Sequence, residues 1–213
     1  NVFIDGTSYK NDVLTGGVAG QDTSRGNPFP QNAVQEFRVI TQNFKAEYEK
    51  SSSAIVTAVT KSGGNTFQGD AFGQYQDKSF VAFDPCSQTV NGRCESAHVP
   101  NAKKPDYTRW QAGVDVGGPI MTDRVHFFAS YELNDQTRAN NVALGSQANL
   151  APPDIQARFQ PLVGNVDSPF RSNLAFGKVS FNAGASDLID ASGYYRRENE
   201  ERDFGGQTSA ESA

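Results

Sequence analysis

RVHFFASYELND, residues 124–135, alternates apolar and polar side chains. Val125, Phe127, Ala129, Tyr131 and Leu133 fall on one face; Arg124, His126, Ser130, Glu132 and Asn134 fall on the other, with Phe128 the exception. Successive side chains of a pleated strand point to opposite sides, so a period of two predicts a strand with one apolar and one polar medium against it.

The pattern extends in both directions along the chain. Upstream, TRWQAGVDV (108–116) sets Trp110, Ala112, Val114 and Val116 against Gln111, Gly113 and Asp115, and GGPIMTDR forms a compact turn. Earlier still, NTFQGDAFGQYQ (65–76) sets Phe67, Gly69, Ala71, Gly73 and Tyr75 against Gln68, Asp70, Gln74 and Gln76. Downstream, SNLAFGKVSFN (172–182) places Ala175, Gly177, Val179 and Phe181 opposite Lys178, Ser180 and Asn182. After the AGAS turn, LIDASGYYRREN (188–199) places Ile189, Ala191, Gly193 and Tyr195 opposite Asp190, Ser192, Tyr194 and Arg196. Trp110, Tyr75, Tyr107, Tyr194 and Tyr195 lie towards strand ends, where interfacial aromatic girdles form, although core packing places aromatics there equally well.

Connections alternate between short (118–123 and 183–186) and long (77–106 and 139–171), the rhythm of an up-and-down barrel in an outer membrane. A soluble antiparallel sheet with one buried face also alternates. Charge placement adds to the comparison: Asp70, Asp115, His126, Glu132, Lys178 and Asp190 all fall opposite the apolar rows. Glycine and alanine within those rows lean towards lipid, because a close-packed soluble core calls for bulk.

Residues 1–64 have another texture. NVFIDG reads as a short strand ending at Asp5-Gly6, and QDTSRGNPFPQN as a turn-rich connector. AVQEFRVITQNF and AIVTAVTKSGGN read as two more short strands, with AEYEKSSSA as one helical turn or a loop, together a small mixed α/β unit. The chain opens in strand-like sequence without an initiator methionine or leader and is read as part of something longer.

Of the 213 residues, 20 are glycine, 15 phenylalanine and 7 tyrosine, a usage that favours β structure. The net charge of −5 and the lack of a lysine/arginine cluster point away from nucleic acid. No apolar run is long enough for a transmembrane helix, which leaves membrane strands open. Cys86 and Cys94 flank an Asn-Gly turn in DPCSQTVNGRC, a spacing that lets a disulfide clip a short loop in an oxidising compartment. Two free thiols are the alternative; metal binding fits poorly, with His98 the only nearby imidazole.

No catalytic, metal or cofactor site stands out. His98 and His126 are far apart in sequence, Ser51-Ser52-Ser53 has no neighbouring base, and LTGGVAGQ lacks the Gly-Lys-Ser/Thr of a phosphate loop. The run from Arg196 to Asp203 mixes both charge signs, as a solvated rim does.

Several segments, in order, resemble TonB-dependent outer-membrane receptors, most of all their Oar-like branch. Val34, Glu36, Phe37 and Val39 match V-x-E-F-x-V; Ala46, Glu47 and Tyr48 match A-E-Y. Val59, Thr60, Lys61, Ser62, Gly63 and Asn65 match V-T-K-S-G-x-N. Ile4-Asp5-Gly6 resembles the earlier "DG" strand of such plugs, and VGGPIMTDRVHFFASYE (116–132) the family's G-G-P-I-x-x-D-x-x-F-F-x-x-Y-E turn and strand. Glu49 and Ser51–Ala54 depart from the family's glycines.

The resemblance implies a mainly β fold: the C-terminal part of a plug domain over 1–64, then about five antiparallel strands of an incomplete outer-membrane β-barrel over 65–213. It implies that Phe67, Tyr75, Trp110, Val125, Phe127, Tyr131, Val179 and Phe181 face lipid. It puts Cys86 and Cys94 in the first extracellular loop, and Arg38 and Lys61 against lumenal Asp70, Asp115 and Glu132. The implied partners are outer-membrane lipid, an extracellular ligand of unknown identity and, through a missing N-terminal part, the TonB–ExbB–ExbD complex. The implied activity is ligand binding and TonB-driven import rather than catalysis. A secreted β-sandwich-like binding module is the alternative.

Overall fold

The computed structural model describes residues 2–10, 18, 26–42, 45, 48, 54–81, 89–90, 93–94, 106–142, 152–159, 161, 164–184 and 187–200. Eleven strands lie within them: β1 (Val2–Ile4), β2 (Thr7–Ser8), β3 (Val34–Ile40), β4 (Ile55–Thr60), β5 (Ala71–Asp77), β6 (Thr89–Val90), β7 (Arg93–Cys94), β8 (Tyr107–Met121), β9 (Val125–Val142), β10 (Gly164–Asn182) and β11 (Leu188–Glu200). The single α-helix among them, α1 (Pro153–Phe159), is far too short to cross a membrane.

The first four strands form a sheet of order β2-β1-β4-β3. Asp5 and Gly6 both take positive φ (47° and 80°), closing the two-residue turn that pairs Ile4 with Thr7. β1 then pairs parallel to β4, Val2 with Val56 and Ile4 with Ala58, while β3 and β4 are antiparallel. The expected helical turn over AEYEKSSSA falls mostly outside the described residues.

The long strands form a second sheet of order β11-β10-β9-β8-β5, in which chain neighbours are sheet neighbours. Several bounds differ from the sequence expectation. The GGPIMTDR turn shrinks to Thr122–Arg124, because Gly117–Met121 stay in β8. β9 runs on to Val142 and β10 starts at Gly164, so strand and α1 occupy much of the expected 139–171 loop. Polar side chains hid those extensions: even buried positions there carry Gln136 and Ser168, so no apolar row of period two is legible. β5 begins only at Ala71; before it, Gln68 alone bridges to Gly117.

The described chain falls into two compact units: residues 1–73, 111–134 and 172–198, and residues 74–110, 135–171 and 199–213. The second holds the β6–β7 hairpin, the Tyr75–Trp110 ring pair at 4.5 Å and the Asp135–Arg171 ion pair at 3.6 Å. There too, the Asp106 carboxylate hydrogen-bonds Lys78 and holds its ammonium above the ordinary 10.5. Cys94 is described as β7 backbone only, and Cys86 and His98 lie outside the described residues.

Candidate functional site

The first unit carries the sidedness that RVHFFASYELND announced, with an inverted burial. On β9 the polar row is the buried one: His126, Ser130, Glu132 and Asn134 are all buried, together with Phe128. The apolar row on the other side is open: Val125 and Phe127 are half-buried and Tyr131 is exposed. β8 and β10 repeat this. Gln111 and Asp115 are buried while Val114 and Val116 are exposed; Ser172, Lys178 and Ser180 are buried while Val179 and Phe181 are exposed. A water-soluble sheet buries its apolar face, and this sheet does the reverse.

The polar row is buried because residues of the small sheet and its leading segment lie on it, in four joints. The first is made by residues 27–31. Glu132, 1% exposed, accepts from Asn27 Nδ2 (3.0 Å), the Gln31 backbone N–H (2.7 Å) and Gln111 Nε2 (2.8 Å). All three donors are neutral, so the carboxylate is held by hydrogen bonds alone, each worth about 1.5–3 kcal/mol when one partner is charged. Beside it, the Tyr194 hydroxyl donates to the Pro28 carbonyl. Phe29 stacks on Tyr194 and packs against Phe176, with ring centroids 5.3 and 4.9 Å away. Ile4, Phe29, Ala33, Phe128 and Phe176 form one buried apolar cluster, and burying a phenylalanine contributes about 1.5–3 kcal/mol.

The second joint centres on Lys178, 7% exposed. Its ammonium lies 3.7 Å from Asp5 Oδ2 and 3.6 Å from Asp190 Oδ2, and it donates to Thr60 Oγ1 at 3.3 Å. Asp5 in turn accepts from the Thr60 N–H (2.9 Å) and hydroxyl (2.5 Å). In the third joint Lys61 reaches Asp115 at 3.3 Å and Asp70 at 3.4 Å.

The fourth joint is steric and polar at once. A side chain at Gly63 would sit 2.1 Å from the Phe127 carbonyl oxygen and 2.9 Å from that of Gly118, so only glycine brings the backbone this close. Two residues on, Asn65 donates to the Asp123 carboxylate, accepts from the Asp123 N–H and meets a His126 ring nitrogen at 2.8 Å. Asp123 sits at φ 64°, turning the β8–β9 hairpin towards it.

The structure therefore gathers part of the expected set. Thr60, Lys61, Gly63 and Asn65 each carry a contact to the large sheet, and Lys61 meets Asp70 and Asp115 as expected. Val59 is exposed. Arg38 is exposed on β3, and Glu132 is held by Asn27, Gln31 and Gln111 instead of by a plug cation. Tyr194 faces inward onto Phe29 rather than joining an outer girdle. Asn27, Phe29, Gln31 and Lys178 were not singled out from sequence as contact residues. Phe128 was the available signal: an aromatic on a polar row needs an apolar partner, and it finds one in the buried cluster with Phe176 and Phe29. Ser130 and Ser172 are buried hydroxyls without a partner among the described residues. Among those residues no group of His, Cys, Asp and Glu is placed to hold a metal.

Residues 59–182 match the model of a family described as an outer membrane beta barrel domain. Over 134 residues, 61% of this chain, the sequence is 28% identical to a curated protein of Myxococcus xanthus named TonB-dependent transporter Oar. The match covers 12% of that protein's own length. No solved structure matches the chain.

Proposed function

Since the chain belongs to the outer membrane beta barrel domain family and so to the Gram-negative outer membrane, we propose that it is part of a receptor that imports an extracellular ligand. In this reading residues 1–64 are the late part of a plug and residues 65 onward begin the barrel wall. The ligand is taken from outside, and the TonB–ExbB–ExbD complex moves the plug to let it pass. The similarity to a protein named as a TonB-dependent transporter supports this.

One observation carries the reading: charged and amide side chains are buried beneath the small sheet, while Val114, Val116, Tyr131, Val179 and Phe181 on the opposite face are exposed. The apolar row of β9 from Val125 to Leu133 runs about 27 Å along the strand at about 3.4 Å per residue; at the tilt of about 35–45° of outer-membrane strands it spans about 19–22 Å, most of their apolar band of about 25 Å. The expected lipid-facing residues Phe67, Tyr75 and Trp110 are exposed as well.

Spin labels at Phe127 and Val179 of the full-length protein in native membrane vesicles test it. Relaxation by dissolved oxygen, with protection from a water-soluble nickel chelate, is the expected result. Protection from both reagents would put those side chains in a protein core and favour the secreted sandwich. Co-purification of the full-length protein with TonB tests the import half separately.

A further inference from the structure

Three adjacent strands of the large sheet each bring one polar side chain to a single depression in the second unit. Asp135 of β9, Arg171 of β10 and Asn199 of β11 line it with Pro169, Phe170 and Glu200, around a volume of about 370 Å³. Small-molecule sites measure about 300–1,000 Å³. Burial alternates without a break along these strands, so Asp135 shares a face with exposed Tyr131, Arg171 with Val179 and Asn199 with Tyr195. On β9, Asp135 is the next position on that face after Leu133, where the apolar row ends. The three polar side chains therefore stand on the outward face, not on the buried polar row.

Their chemistry is mixed in sign. Arg171 Nε lies 3.6 Å from Asp135 Oδ2, near enough for attraction but beyond hydrogen-bonding distance, and the two side chains are 58% and 49% exposed. Guanidinium N–H groups and carboxylate lone pairs thus both keep capacity for a third partner. A phosphate on Arg171 would lie against the Asp135 and Glu200 carboxylates, and an ammonium on those carboxylates would lie against Arg171. A neutral ligand whose groups donate and accept at once suits the set, and a hydroxyl is such a group. Hydroxyls on one ring can donate to Asp135, accept from Arg171 and do either with Asn199. Pro169 and Phe170 add the apolar lining against which the C–H face of a sugar ring rests. Pro169 also interrupts the ladder. β10 lies between β9 and β11 and has no N–H to give at that residue, so the sheet is one donor short at the depression itself.

We infer that this depression binds a sugar ring, with Asp135, Arg171 and Asn199 on its hydroxyls and Pro169 against its apolar face. A membrane glycolipid and a free saccharide both carry such a ring. The outward position, one step past an apolar row, selects the glycolipid, whose sugar lies at headgroup level. That choice of source rests on the barrel reading; the sugar chemistry does not.

The test uses the full-length protein, wild type or variant, incorporated in phosphatidylcholine nanodiscs containing monoglucosyl diacylglycerol. Native mass spectrometry of the released protein counts the glycolipid retained, after the heat-induced gel shift has shown each variant to be folded. Arg171→Leu and Asn199→Ala should lower retention, Arg171→Leu by about tenfold or more for a bond to a charged group. Asp135→Asn, which keeps the shape and removes the charge, should lower it as well. Arg197→Leu removes an outward arginine of β11 that does not line the depression, and should leave retention unchanged. Equal loss in Arg197→Leu, or preferential retention of phosphatidylglycerol when that lipid replaces the glycolipid, would mean general charge attraction and overturn the proposal. No retention by the wild type, with no binding of free methyl glucoside, overturns it too. Binding of methyl glucoside alone, lost in the same three variants, upholds the sugar site and overturns its membrane source. None of these readouts involves transport, so failure here is distinct from failure of the import reading, which the TonB co-purification decides.

Discussion

Adjacent glycines in one motif do different work. At Gly63 a methyl group would collide with two backbone carbonyls, neither of which can rotate away, whereas at Gly64 nothing lies within 4 Å. Gly63→Ala is expected to destabilise the folded protein by about 1–3 kcal/mol, the range for overpacking. Gly64→Ala should leave it within about 0.5 kcal/mol. The midpoint of urea unfolding in a bilayer, followed by the gel shift between folded and heated forms, compares the two. Equal midpoints would remove the close approach at Gly63. A second contrast concerns Lys78. Its ammonium is held above 10.5 by Asp106, so Lys78 stays charged from pH 6 to 9 and loses its proton only as pH rises past the raised value. The unfolding midpoint of Lys78→Met should therefore track the wild type from pH 6 to 9, and added salt, not pH, should move any small difference.

Among the strands, the two faces of the large sheet obey opposite rules. Arginine in place of Val179 puts a charge in the exposed apolar row and should cost about 2–4 kcal/mol near mid-bilayer. In place of Asn173 on the same row, where Tyr131 already donates a hydrogen bond at 2.7 Å, the cost should fall towards about 0–1 kcal/mol near the interface. Refolding equilibria in lipid vesicles measure both, and equal costs would deny the row its depth profile. On the inner face, Phe72 covers Gly113, where a side-chain carbon would lie 2.3 Å from the ring. Gly113→Val alone should destabilise by about 1–3 kcal/mol, and less in combination with Phe72→Ala, a coupling that a double-mutant cycle reads directly.

At the scale of the molecule, the seam between the small sheet and the wall is held by charge and hydrogen bonds around one small aromatic cluster. Lys178→Met removes the cation shared by Asp5, Asp190 and Thr60. It should cost about 1–3 kcal/mol, below the figure for a fully sealed pair because both carboxylates are about a third exposed and can rehydrate. Urea unfolding of the full-length protein measures it, and an unchanged midpoint would remove the joint from the stability of the seam. The sequence by itself determined the alternating cores of the long strands, their sidedness and the resemblance, because alternation is a local property and the motif residues are contiguous. Phe127 and Val179 could be assigned to one side from sequence alone, whereas the resemblance set Arg38 and Lys61 together against Asp70, Asp115 and Glu132, of which Lys61 meets the two aspartates. Only the tertiary structure decided which side is buried, that the parallel β1–β4 pair joins segments some fifty residues apart, and that NPFPQ is a docked element rather than a connector. Phe29 finds Phe176 and Tyr194, and Gln31 finds Glu132, across more than a hundred residues of chain. No local pattern encodes such a meeting, since it depends on two surfaces folding to complementary shapes and charges.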